Sequence, residues 1–582
     1  MFYKNLKALE KVNKSLAIRI SKIRLEDAAK NISVIKNDNG EFLLTKGNNI
    51  IDDSPSPIKS SEKMYSEQIQ RPLTRHDIIV IYGLGFGNLL DYVSEKSVSN
   101  IVLYEPDLEI IRFTMEYVDL TKYFDGRLYL TNNLAECSNY IKNKYLIGDK
   151  IECLYIKNYL LYRPSEFSLL TKKIADDCHN KIIDINTISQ MSKVWIENIF
   201  SKIRLNKNLI PLNLLKNCYK GKTALILGAG PSLKDNISKI KENRDKFVIF
   251  TIHRTLEVLQ NNDIVPDFCV VTDAMYTNAY FPKLKEEYVK SLNLVLDIKS
   301  DKYTAKLPCK RSFIFFTNNS IFSEKMLINS SSIKDLLETV GTSTLSAYNC
   351  AKFLGCKNFI FTGVDLAFKD NTAYCDGKNV VTISQSEVKI QNISRHTTQV
   401  KSVTGDYVKT REDYASFISQ FEAIFAKDQN PNIYNLTDFG AYIKGMKYDS
   451  LDNIIKYLKI NKINAENVIE ETLGQSHFSG QKFYQTMHNI FADEYKKTTP
   501  ILKEAQDWLD MYSEHPQFYE YASTIITKIT STMMLEEYIQ VELLEFLRLI
   551  YKDNESEKRE FLIKLFTSII QYGKQLKYLV ED

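Results

Sequence analysis

The chain lacks the pairing pattern of a disulfide framework. Its nine cysteines are odd in number, irregularly placed from Cys137 to Cys375, and never spaced C-x-x-C. That argues against a stapled secreted scaffold and against a structural zinc site. No stretch approaches the ~18 consecutive apolar residues that a bilayer span needs. The opening MFYKNLKALEKVNK carries charges where a signal peptide is apolar. A charge excess is missing as well: 76 Lys and Arg against 72 Asp and Glu leave +4 over 582 residues, far from the footprint of a dedicated nucleic-acid binder. Tryptophan is scarce, at 2, and no repeat of fixed period marks a solenoid. These absences point to the reducing cytoplasm.

What is present is a globular composition, 44% hydrophobic and 25% charged, which excludes a mainly disordered chain. At ~100–200 residues per domain, the length calls for about three domains. The apolar run Ile78–Ile81, a glycine turn, a helical stretch and Ile101–Tyr104 ending in Glu105 read as a βαβ unit. A second α/β unit opens at Thr223–Leu227, with further strand-like runs at Phe247–Thr251, Phe268–Val271, Leu292–Leu296, Phe313–Phe316 and Asn358–Phe361. That spacing predicts a mostly parallel, Rossmann-like sheet covered by helices. From about Ser450 onward, apolar residues such as Leu562, Leu565, Ile569, Tyr572 and Leu576 recur at steps of three and four, so the end of the chain reads as helical. The expected fold class is α/β, with an N-terminal α/β domain over 1–205, a central α/β domain over 206–447 and a C-terminal helical domain over 448–582.

Two glycine turns join a buried strand to a helix, where backbone N–H groups and the helix dipole can meet a phosphate. The first, Gly83-Leu84-Gly85-Phe86-Gly87, has Glu105 at the end of the next strand, placed to accept from ribose hydroxyls. It reads equally as tight strand-to-helix packing. The second, Gly228-Ala229-Gly230-Pro231-Ser232, puts proline in the first helical turn and a serine that can cap or bind. The strand after it runs to His253 and Arg254 with no acid, which disfavours a nicotinamide dinucleotide, and Lys222 precedes the strand, which excludes a P-loop. A nucleotide or sugar nucleotide is left as the ligand, against a purely structural turn.

Three more segments fall at carboxyl ends of strands: Val270-Val271-Thr272-Asp273, Gly341-Thr342-Ser343-Thr344 opening a helix, and Phe361-Thr362-Gly363-Val364-Asp365-Leu366. Hydroxyls and N–H groups at a helix start hold carboxylate or phosphate, and aspartates there accept from sugar hydroxyls or cap the next helix.

The segment GTSTLSAYNCAKFLGCKNFIFTGVDLAFKDNTAYCD, residues 341–376, together with ALILGAGPSL, VPDFCVVTDA and TDFGAYIKG, resembles the motility-associated factor (Maf) family. These flagellin glycosyltransferases have a central domain similar to bacterial sialyltransferases and to 6-hydroxymethylpterin pyrophosphokinases. The resemblance implies a cytoplasmic enzyme that transfers pseudaminic or legionaminic acid from its CMP-activated form to Ser or Thr of flagellin. The implied donor-binding residues are Gly228, Gly230, Pro231, Ser232, His253, Thr272, Asp273, Gly341, Thr342, Ser343, Thr344 and Gly363. The implied catalytic residues are Asp365, His396 and Tyr374, with Asp365, Asp273 or another residue as alternatives to His396 for the base. Sialyltransferases carry a tyrosine two residues after the aspartate; Ala367 stands there, leaving Tyr374 as the phosphate-contacting hydroxyl. No metal or other cofactor is expected beyond the CMP-sugar donor. Flagellin is the expected partner, with no nucleic acid and no membrane, and homo-oligomer formation is left open. The alternatives are a pterin pyrophosphokinase and a non-catalytic flagellin-binding chaperone.

Overall fold

The computed structural model describes residues 1–581 except 71, 75, 98, 125, 146–148, 319, 339–340, 370–371, 376–396, 530–531 and 550–553. It divides into two compact units, Met1–Ile188 and Ser189–Asp582. The second unit holds both the central sheet and the C-terminal helices.

The first unit holds a four-stranded parallel sheet in the order Leu128–Thr131, Asn100–Tyr104, Ile78–Tyr82, Ile151–Tyr155. Ile78–Tyr82 is buried along its whole length, as a central parallel strand covered on both faces must be. A small antiparallel sheet, Ile32–Lys36, Phe42–Lys46 and Asn49–Ile50, precedes it.

The second unit is built on nine parallel strands. Their order is Lys447–Tyr448, Ile433–Asn435, Asn358–Thr362, Thr223–Leu227, Val248–Ile252, Phe268–Val271, Asn293–Asp297, Arg311–Phe315 and Leu209–Pro211. The chain winds outward from Thr223–Leu227 to Arg311–Phe315, then returns to place Asn358–Thr362 on the other side of its starting strand. The winding direction reverses between those two strands, which opens a crevice at their carboxyl ends.

Period-two alternation decides which helices cover which face. Ile226, Phe250, Val270 and Phe361 face the helices Ser343–Phe353 and Glu412–Asp428 through Leu345, Tyr348, Phe421 and Phe425. On the opposite face, Val271, Leu294, Leu296 and Ile314 share one core with Ile199 and Phe200 and with Phe491, Trp508, Leu565 and Phe566 of the C-terminal helices. All nine cysteines are free thiols, and no helix among the described residues is long and apolar enough to cross a membrane.

Candidate functional site

At the crevice the two turns close on each other. Gly228 N–H donates to the Thr362 carbonyl and Gly230 N–H to that of Gly363, each at 2.8 Å. Ser232 Oγ accepts from Gly363 N–H at 2.8 Å, and Ser232 N–H donates to the Asp365 carboxylate at 2.8 Å. A Cβ on Gly228 would overlap the Gly363 carbonyl, and one on Gly363 the Gly228 carbonyl. The glycines are therefore required by the approach of two backbones, and these N–H groups are spent on the protein itself. Burial raises the Asp365 carboxyl above the usual range, opposed by the hydrogen bonds from Ser232.

Beside this junction lies a cavity of about 470 Å³. It is lined by Gly230, His253, Asp273, Gly341, Thr342, Ser343, Thr344, Gly363, Asp365 and Tyr374, so ten of the sequence-predicted residues converge on one space. Gly228, Pro231, Ser232 and Thr272 do not line it, although Thr272 meets the Ser343 hydroxyl at 2.7 Å and so fixes it. His396 lies outside the described residues. At the helix start, Thr342 caps the turn by accepting from Leu345 N–H at 3.1 Å, which leaves the Ser343 and Thr344 end of the helix facing the cavity.

His253 is 5% exposed and its Nε2 is 3.3 Å from Asp273 Oδ2. Its Nδ1 is buried with no hydrogen-bond partner among the described residues. Burial lowers its pKa; Asp273 opposes that but does not reverse it. The result is a neutral imidazole oriented through one nitrogen by a carboxylate, with a lone pair left on the other.

The cavity wall over 273–277 is held from behind. Asn198 Nδ2 donates to the Ala274 carbonyl at 2.8 Å and to that of Lys299 at 3.0 Å. Thr277 N–H and hydroxyl both donate to Asp301, at 2.9 and 2.8 Å. Tyr276, on this wall, is left-handed at φ +69°, a conformation that a tyrosine keeps only where its surroundings impose it.

Sequence reasoning missed several lining residues: Arg254, Tyr276, Tyr280, Tyr414, Phe417 and Phe421. The last three share one stripe of the Glu412–Asp428 helix, and an aromatic stripe at steps of three and four is indistinguishable in sequence from core packing. Arg254 adjoins His253 and was within reach. Tyr374 is paired with Tyr414, and its ring lies under the Arg254 guanidinium, 3.4 Å from ring centroid to guanidinium carbon.

The other glycine turn is already filled. Leu84 N–H donates to Glu105 at 2.9 Å and Phe86 N–H to Asp52 at 3.1 Å, while the Tyr159 hydroxyl also donates to Glu105. Two N–H groups of this turn are thus taken by buried carboxylates of the chain itself.

A family model described as 6-hydroxymethylpterin diphosphokinase MptE-like matches residues 197–371. An uncharacterized protein of Treponema pallidum is 32% identical over 126 residues, 21% of this chain and 59% of that protein. The 6-hydroxymethyl-7,8-dihydropterin pyrophosphokinase of Methanocaldococcus jannaschii is 32% identical over 95 residues, 16% of this chain and 39% of that protein. The chain thus spans about three fifths and two fifths of the curated relatives it matches. A solved MAf glycosyltransferase from Magnetospirillum magneticum AMB-1 superposes with a TM-score of 0.68 at 14% identity, covering 100% of this chain and 96% of that one. Along its whole length the chain therefore has the fold of a Maf glycosyltransferase, built around an MptE-like central segment.

Proposed function

We propose that the chain is a glycosyltransferase that moves a nonulosonic acid, pseudaminic or legionaminic acid, from its CMP-activated form to Ser or Thr hydroxyls of flagellin. The observation that carries this reading is the 470 Å³ cavity at the sheet's switch point, lined both by Asp273 with its buried imidazole partner and by a hydroxyl-rich helix start. In the reaction the bond from sugar C2 to the phosphate oxygen breaks and CMP leaves with the electron pair. The acceptor hydroxyl oxygen bonds to C2, and its proton passes to the Asp273 carboxylate, which is exposed to the cavity and oriented by Nε2 of the buried His253. The start of the Ser343–Phe353 helix, with its N–H groups and hydroxyls, stabilises the phosphate as its charge grows. No step calls on a metal. Incubation with CMP-pseudaminic or CMP-legionaminic acid and flagellin should add the mass of the nonulosonic acid to the flagellin; no added mass with either donor refutes the reading.

One observation favours a second reading. The MptE-like match over 197–371 and the similarity to a pterin pyrophosphokinase accord with transfer of diphosphate from ATP to a hydroxymethylpterin. That activity would release AMP when ATP, Mg²⁺ and the pterin are supplied together.

A further inference from the structure

The arginines of this protein that are partly or wholly withdrawn from solvent are commonly held by carboxylates: Arg112 by Glu116, Arg163 by Asp107 and Glu166, Arg244 by Asp267, Arg311 by Glu466. Arg254 differs. No ion pair to it occurs among the described residues, and its Nε is buried without a hydrogen-bond partner. It also lines the central cavity, where it is the one side chain of fixed positive charge among the described lining residues. The two carboxylates of the cavity are engaged elsewhere, Asp273 beside His253 and Asp365 on Ser232 N–H.

Arg254 is nevertheless fixed in place. Its guanidinium carbon stands 3.4 Å from the centroid of the Tyr374 ring and 5.8 Å from that of Tyr280. Stacking of this kind holds a guanidinium through its face and leaves the N–H groups, which lie in its own plane, for other partners. Arg254 is half-buried with its Nε unpartnered and no counter-charge among the described residues, an arrangement that an anion entering the cavity would complete. A planar fork of donors is matched best by a carboxylate or a phosphate.

We propose that Arg254, seated on Tyr374, is the residue by which this cavity recognises the negative charge of its substrate, a carboxylate on an acidic sugar or the phosphate that carries it. Tyr374 is then a positioning residue that acts through the guanidinium. The inference rests on the donor reading above only for which nucleotide carries the anion.

Calorimetric titration of the full chain with cytidine, CMP, UMP, AMP and CMP-N-acetylneuraminic acid tests it. Arg254→Gln should weaken the CMP-sugar by about 10- to 100-fold, the range for losing a hydrogen bond to a charged group, and leave cytidine unchanged. Equal weakening of CMP assigns the phosphate, and unchanged CMP assigns the carboxylate; either result upholds the proposal. Affinity of the variant equal to wild type for both anionic probes overturns it. Tyr374→Leu, which removes the ring beneath the guanidinium, should weaken the anionic probes and spare cytidine. If wild type prefers UMP or AMP, the donor reading falls, while loss of that nucleotide in Arg254→Gln still upholds the role of Arg254. Wild type binding none of the nucleotides overturns the proposal. Should Arg254→Gln unfold, Arg254→Lys, which keeps the charge and loses the fork, carries the test: about 5-fold weaker binding is expected, and unchanged binding overturns it.

Discussion

His253 sits beside a carboxylate, yet burial outweighs that attraction and its pKa lies below the ordinary 6.5. While this imidazole is neutral it leaves the Asp273 carboxylate free to accept a proton, and once charged it ties that carboxylate up, so transfer should be flat above about pH 7 and fall on the acid side, with a midpoint under 6.5. Asp273→Asn removes the one neighbour charge that favours the imidazolium most, so the acid limb should move to still lower pH while kcat drops. An acid limb that stays in place in the profile of kcat/KM would separate Asp273 from the imidazole. Asp273→Ala should cost about 10²- to 10⁴-fold in kcat, the usual share of a positioned base. A second residue-scale expectation concerns Gly363, which is left-handed at φ +68° with its α-carbon against the Gly228 carbonyl. Gly363→Ala meets both a strained backbone and a carbonyl that cannot withdraw, a cost of about 2–4 kcal/mol. Thermal unfolding should show it as a lowered Tm, and an unchanged Tm would mean that the two turns are free to part.

The turn Gly83–Gly87 carries the clearest expectation for a single element. Burial raises both Asp52 and Glu105 to about 7, because their partners are N–H and hydroxyl groups and no ion pair to either occurs among the described residues. The folded unit therefore keeps protons that the unfolded chain releases above about pH 4. Stability should fall as pH rises from about 4 to about 7 and then level off, losing a few kcal/mol over that window. Asp52→Asn, which cannot ionise, should flatten much of this slope; Tm measured across the window compares the two, and parallel slopes would count against Asp52 as the source. This turn also marks how far the sequence could be read. Its strand, glycines and Glu105 were legible, as were six of the nine strands of the central sheet to within a residue or two, because buried parallel strands are short apolar runs; Leu209–Pro211, Ile433–Asn435 and Lys447–Tyr448, two or three residues each, were too short to read. Filling of the turn by Asp52 was not legible: a carboxylate more than thirty positions away leaves no periodic signal. Gly230, His253, Asp273, Gly363 and Asp365 meet in the central cavity because each follows the end of a strand and sheet topology brings strand ends together, while Gly341–Thr344 arrive there at the start of the Ser343–Phe353 helix. Tyr414, Phe417 and Phe421 escaped because the stripe that lines the cavity continues into the core at Phe425.

For the second unit as a whole, the decisive relation is between the sheet and the last 135 or so residues, counted from Tyr448 to Asp582. Helical texture after Ser450 reads in sequence as a separate domain, since periodicity reports that a helix has an apolar face and not what that face covers. In the structure Phe491, Trp508, Leu565 and Phe566 share one core with Val271, Leu294, Leu296 and Ile314. Phe322 stacks on Phe491 at 4.8 Å between ring centroids, and buried Glu494 accepts from Lys325 at 2.9 Å and from Met534 N–H at 3.0 Å. The strand Phe268–Val271 that presents Val271 to these helices also leads into Asp273 and the cavity wall. A chain cut after 447 would expose this face, at about 1.5–3 kcal/mol for each large side chain uncovered, and would leave Lys325 without its carboxylate. The fragment 189–447 should therefore aggregate or bind a hydrophobic dye, and should lose the nucleotide affinity of the full chain even though every predicted site residue is present in it. Size-exclusion chromatography, dye binding and titration with CMP measure the three consequences. A monomeric fragment that unfolds cooperatively and binds CMP like the full chain would instead make the helices an independent domain, and would return the cavity to a central domain that needs no support from them.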